Sequence, residues 1–126
     1  MIWLKRIGLI LVIISIGTVI DFGVHSINAY LYEPLPYFTH KIAFGTFWAL
    51  VAYIVFRKFT KTPFWMAFAM SATTSILLQT YYFVLEHDPF GKTFLFMFVH
   101  FFAFFIPGYF ICKKYTNLFI DEKVTK

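Results

Sequence analysis

Thr18-Val19-Ile20-Asp21-Phe22-Gly23-Val24-His25-Ser26-Ile27-Asn28 sets two ionisable side chains inside a run that otherwise has the composition of a membrane span. At 100° per residue, Thr18, Asp21, His25, Asn28 and Tyr32 fall within an arc of roughly 80°, so a helix here carries one polar stripe on an apolar rod. Charged groups in a span face a bundle interior or a watery cavity, and they mark a functional site by default. The stripe therefore implies partner helices to cover it.

The rest of the chain supplies them. Its 126 residues are 60% hydrophobic, 24% aromatic and only 13% charged, against about 25% charged in ordinary soluble domains. A hydrocarbon core of about 30 Å needs about 20 apolar residues per helix. Four runs approach that length, at about residues 4–30, 40–56, 64–85 and 93–112, leaving a polar tail over 115–126. The expected fold is all-α: an integral membrane bundle of four transmembrane helices with short loops, forming one domain over 1–126. Lys5 and Arg6 before an apolar run resemble the start of a signal peptide. No small-x-small cleavage site follows promptly, and Asp21 and His25 continue the helical register, so the first run is expected to remain as a span.

Between the first two spans, Pro34 and Pro36 remove backbone donors and disfavour helix, predicting an interfacial connection rich in tyrosine up to Thr39. In the second span Gly45, Ala49 and Ala52 share a face of small residues, as do Ala67, Ser71 and Ser75 in the third, and the two faces are expected to pack together. Pro63 suits the first turn of the third helix. That helix offers a second polar stripe: Ser71, Thr74, Ser75, Gln79, Tyr82 and Glu86 lie in an arc of roughly 140°. Glu86-His87-Asp88-Pro89 has the residue types of a turn. The fourth span is crowded with phenylalanine, yet His100, Ala103 and Pro107 share a face. The single cysteine, Cys112, excludes an intramolecular disulfide, and no CxxC pair exists; beside Lys113 and Lys114 it is read as a small buried residue, with palmitoylation as the alternative.

Orientation follows from the basic residues beside the spans. Lys5, Arg6, Arg57, Lys58, Lys61, Lys113 and Lys114 lie on one side, against Lys41 and Lys92 on the other. By the positive-inside rule both termini are cytoplasmic. The net charge of +5 is thereby assigned to topology and lipid headgroups, with no nucleic-acid partner.

Counting about 1.5 Å per residue from these charges puts Asp21 and His100 at one level, with Gln79 and His25 close by. Three helices thus send polar groups into one intramembrane layer: Asp21, His25, Gln79 and His100. Structural glue between helices is the first explanation. Proton or cation handling is the second, because histidine titrates near neutrality. A metal ion held by Asp21, His25 and His100 is the third, since a carboxylate and two imidazoles suit zinc, copper or iron. No cofactor is required by the sequence. The outer cluster Glu86, His87 and Asp88 is more simply a solvated turn than a ligand set. With no phosphate loop, GxSxG or HExxH, catalytic activity by this chain alone is not expected. The function expected is that of a non-catalytic accessory or scaffolding subunit of a larger membrane complex, such as a respiratory or metal-dependent oxidoreductase. Its partners would be membrane lipid and other subunits or further copies of itself. The alternative is a small homo-oligomeric proton- or cation-coupled transporter or channel using Asp21, His25 and His100. Neither loop carries a glycosylation sequon, compatible with a prokaryotic plasma membrane.

Overall fold

Four prolines punctuate the chain at three helix starts. In the computed structural model, which describes residues 1–27 and 31–121, α1 runs Ile2–His25. Helix α2 (Leu35–Phe56) has Pro34 at its N-cap and Pro36 in its first turn. Helix α3 (Pro63–Leu85) starts on Pro63, with the Thr62 hydroxyl accepting from the Trp65 amide at 3.4 Å. Pro89 caps α4 (Phe90–Lys114). Proline is tolerated at these positions because the first amides of a helix lack intrahelical acceptors anyway. A short α5 (Thr116–Phe119) follows.

Sequence-adjacent helices lie side by side, and α4 closes on α1, so the four long helices form an up-and-down ring. Helices α1, α2 and α4 are long and apolar enough to cross a membrane. Helix α3 has comparable length at 23 residues, but Ser71, Thr74, Ser75, Gln79 and Tyr82 dilute its apolar content, and all five are buried. Its polar stripe points inward. The outward faces are apolar: Phe94, Phe98, Phe102, Ile106 and Phe110 form an exposed row at four-residue spacing along α4.

Glycines set the closest approaches. A Cβ on Gly17 would sit 2.3 Å from the Phe104 ring and 2.8 Å from the Ala103 carbonyl oxygen, so α1 lies tight on α4. A Cβ on Gly45 would be 2.9 Å from Ile14. Helices α2 and α3 pack together as expected, with Thr74 and Leu78 of α3 at 3.7 and 3.8 Å from a Cβ on Gly45, but Ala67 and Ser71 of α3 lie beside Gly108 of α4, at 3.7 and 3.8 Å from a Cβ there, with Ile13 of α1 at 3.6 Å. Cys112 is fully buried.

Three other boundaries differ from expectation. Helix α1 ends at His25, not near residue 30, so Tyr32 leaves the polar face and is exposed; Asn28 lies outside the described residues. Helix α2 starts five residues earlier than expected, because Pro36 serves as a helix start and not as a breaker. The segment after Lys114 is not a free tail as far as Ile120. Phe119 and Ile120 are buried, and the Leu118 carbonyl accepts from Arg6 Nε at 2.8 Å and from the Tyr53 hydroxyl at 3.2 Å. Arg6 also lies over the Trp3 and Tyr53 rings, tying the chain's two ends together beneath the bundle.

Candidate functional site

The early start of α2 moves one residue from the surface to the centre. Lys41 is the seventh residue of α2, about 9 Å along the helix from Leu35. It shares a face with Gly45, Ala49 and Ala52, and all four are buried. Its ammonium donates to Asp21 Oδ2 and lies 2.7 Å from His100 Nε2. Lys41, Asp21 and His100 each have 0% exposure. Lys41 was expected at the outer boundary; it stands inside, as the counter-ion of Asp21.

The other candidates gather around this pair. His100 Nε2 is 3.0 Å from Asp21 Oδ1, and its Nδ1 is 2.6 Å from the Gln79 amide nitrogen. His25 Nε2 stands 3.4 Å from Asp21 Oδ2, while its Nδ1 lies 2.6 Å from the Leu31 carbonyl oxygen. A carbonyl only accepts, so His25 carries its proton on Nδ1, and in the neutral ring Nε2 presents a lone pair to the carboxylate. A proton taken up there would give Asp21 a second cationic partner. The four side chains expected in the polar layer, Asp21, His25, Gln79 and His100, thus meet in one node with Lys41.

The Lys41 ammonium only donates, so at 2.7 Å His100 Nε2 accepts from it. The neutral ring then carries its proton on Nδ1, which donates to the Gln79 side-chain carbonyl once that amide is rotated, an assignment made from the hydrogen-bond network.

Aromatic rings close the node on the outer side. Phe96 stacks on His25 with centroids 4.4 Å apart, and Lys41 lies 4.3 Å from the Tyr37 ring centroid, which in turn packs on Tyr82 at 4.9 Å. Toward the end of the bundle that carries the N-terminus the node rests on apolar packing: Ile14, Ile10, Met70, Met66 and Phe104 are all buried. Thr18 donates to its own helix at Ile14. No charged group other than Asp21 and Lys41 is buried among the described residues.

One carboxylate and two imidazole nitrogens, from Asp21, His25 and His100, come within 4.8 Å of one another, a ligand set of the right types for a divalent ion. The Lys41 ammonium lies against two of the three, so an ion binding there would have to displace it.

The outer-loop cluster divides. Glu86 caps α3 and is exposed. His87 takes a left-handed φ of 56°, which turns the chain so that the Asp88 amide returns to the Tyr82 carbonyl at 3.3 Å. Glu86 and Asp88 line a cavity of about 350 Å³ with Glu33, Tyr37, His40 and Tyr82; His87 does not. Partial burial pushes the Asp88 carboxyl above its ordinary value of 3.8, and Glu33 and Glu86 add to the effect while Lys92 opposes it. Lys92 pairs with Glu33 at 2.9 Å.

The chain matches no family model, no curated protein and no solved structure. Fold and site together define a small helical protein, three of whose helices are long and apolar enough to cross a membrane, with an ionic node enclosed among the helices.

Proposed function

We propose that all four long helices cross a membrane, with both termini cytoplasmic, and that the protein is a non-catalytic accessory or scaffolding subunit of a larger membrane complex. The single observation that carries this is the Lys41–Asp21 pair at 0% exposure. An ion pair so enclosed is weak evidence of stability, but it fixes helix rotation and register, because any slip leaves a charge unpaired in a low-dielectric interior. Moving Lys41 inside leaves Lys92 alone among the basic residues on the outer side, which sharpens the charge asymmetry behind the orientation. The apolar rows outside the bundle suit lipid or further helices of the same membrane. A prokaryotic plasma membrane fits the absence of glycosylation sequons.

The test is native mass spectrometry of the protein extracted gently from its own membrane. A larger partner in fixed stoichiometry supports the proposal. Free monomers or homo-oligomers alone overturn it.

One observation favours a second reading, a proton- or cation-coupled transporter. Tyr37 and Tyr82 touch both the outer cavity and the surroundings of Lys41, so the node is one aromatic layer from the outside. Flux in proteoliposomes tests it with Asp21→Asn and Lys41→Gln combined, a pair that keeps the node neutral. That reading requires flux in the wild type and its loss in the double variant.

A further inference from the structure

The connection between α2 and α3 carries Arg57, Lys58 and Lys61 and no acid. Arg57 is engaged within the chain, its guanidinium 5.4 Å from the Trp3 ring centroid. At the same end of the bundle Lys113 and Lys114 lie over Tyr109 and Tyr115, at 5.8 and 5.6 Å. Lys58 and Lys61 are exposed, and neither forms a salt bridge among the described residues. Two cations therefore stand side by side with no anion of the protein to meet them.

Lys61 also lines the end of a groove of about 640 Å³ along α3. Trp65 and Phe68 line it from α3, packed edge to face with centroids 5.6 Å apart, and Phe56 and Phe59 line it from the end of α2 and the connection. No acidic side chain borders it. At Phe68 and Ala72 it meets a second groove of about 270 Å³, which continues past Ile76. From Pro63 to Ile76 a helix rises about 20 Å, more than half of a hydrocarbon core of about 30 Å. The apolar trough thus has the depth of one membrane leaflet and ends at two unpaired lysines. That polarity is an amphiphile's: a soluble anion would leave the trough unused, and an apolar helix or an uncharged lipid would leave the lysines unmet. Basic pockets beside membrane helices hold anionic headgroups in this way.

We propose that the groove from Lys61 to Ile76 holds an anionic phospholipid, its phosphodiester at Lys58 and Lys61 and an acyl chain along Trp65, Phe68 and Ala72. The Thr62 hydroxyl accepts from the Trp65 amide at 3.4 Å, which leaves its own O–H to donate to a phosphate oxygen. The proposal rests on the reading that the helices cross a membrane, and it is independent of the accessory-subunit reading.

The experiment follows Trp65 fluorescence in the full chain carrying Trp3→Phe and Trp48→Phe, which leave Trp65 as the only tryptophan and keep a ring at both positions. The protein is reconstituted in phosphatidylcholine, and phosphatidylglycerol brominated near the top of one chain is titrated in, against phosphatidylcholine brominated in the same way. Phosphatidylglycerol should quench Trp65 with an apparent affinity about fivefold or more above that of phosphatidylcholine. Lys58→Gln with Lys61→Gln should remove that preference, while Lys113→Gln with Lys114→Gln, which removes the same charge at the same end, should leave it. Ala69→Leu, which fills the groove, should weaken phosphatidylglycerol several-fold. All four lysines are exposed and Ala69 is half-buried, so these variants should fold, which circular dichroism checks. Equal quenching by the two lipids overturns the proposal and leaves the membrane-spanning reading intact, as does a preference lost equally in both lysine pairs or an unchanged affinity in a folded Ala69→Leu protein. No quenching by either lipid overturns both.

Discussion

Lys41→Met is the substitution with the most to say about this protein. It keeps an unbranched side chain in the α2 face while removing the ammonium that meets Asp21 and His100. Asp21 is then left at 0% exposure with no permanent cation beside it. Breaking one partner of a buried pair costs about 3–5 kcal/mol, a large part of a stability on the order of 5–15 kcal/mol. Asp21→Leu should cost a similar amount by stranding Lys41. The double variant removes both desolvation penalties and keeps the volume, so it should return to within about 1 kcal/mol of the wild type or exceed it. The coupling energy in the cycle would then be roughly 6 kcal/mol or more. A second signature separates the singles. Asp21 has two imidazoles within reach, His100 at 3.0 Å and His25 at 3.4 Å, so an imidazolium can replace the lost ammonium and the Lys41→Met deficit should shrink as the pH is lowered. The Asp21→Leu deficit should not shrink, because a further proton adds charge to an already unpaired lysine. Reversible unfolding in mixed micelles, followed by tryptophan fluorescence, reads this directly, since Trp3 packs edge-on against Tyr53 at 6.1 Å. A Lys41→Met protein within 1 kcal/mol of wild type, or a double variant as unstable as the sum of the singles, would refute the buried pair as the organising contact.

Gly17→Ala should destabilise by about 1–3 kcal/mol through overpacking, because its new methyl meets the Ala103 carbonyl at 2.8 Å as well as the Phe104 ring; Gly8→Ala, with nothing within 4 Å, should be neutral or stabilising by up to about 1 kcal/mol, and equal effects in the same unfolding assay would contradict the α1–α4 approach. His87→Gly should stabilise by about 1 kcal/mol, because its φ of 56° strains a residue with a Cβ; an unchanged unfolding midpoint counts against that conformation. Asp88 holds its proton more tightly folded than unfolded, so the stability it contributes is present in acid and lost as pH rises from 3.8 through its raised value; Asp88→Asn should abolish that decline in a pH series of unfolding midpoints, and an identical series would sink the assignment. Lys41→Ala vacates the ammonium position among Asp21, His25 and His100, so added Co²⁺ should give visible absorption bands and a raised unfolding temperature in that variant and not in the wild type; an equal response in the wild type would show that the ammonium does not guard the ligands.

The helical fold and most of the node were legible because both are periodic. Apolar runs near 20 residues marked all four long helices, and the 80° stripe singled out Asp21 and His25. Depth counted from the flanking charges put His100 and Gln79 level with them, and the structure brings all four side chains together. Lys41 is the residue the sequence hides, because Pro34 and Pro36 read as a break between helices, whereas Pro36 sits in the first turn of one. The signal was present: Lys41, Gly45, Ala49 and Ala52 fall within about 80° of one another, so the small-residue face already ran through the lysine. The need was present too, since a buried carboxylate calls for a permanent cation, and the two histidines at that level are cationic only when protonated. The docking of Phe119 and Ile120 was less legible, because four residues of helix carry no usable period and their placement depends on Arg6 and Tyr53 from elsewhere in the chain.

The positions of Gly17 and Gly45 explain why the ionic node can exist in so thin a bundle. Gly17 lies one turn below Asp21 on α1, and Gly45 one turn below Lys41 on α2. The first admits Phe104 of α4 and the second admits Ile14 of α1, so α4 and α2 both close on α1 immediately beneath the charges. Without that approach, Asp21 could not keep His100 at 3.0 Å and Lys41 together. Charge pairing sets the rotation of the helices, and the glycines set their distance. The two are coupled: a methyl at Gly17 should lengthen the Asp21–His100 contact as well as lower stability, which makes the histidine's ring protons the most sensitive reporter of packing one turn away.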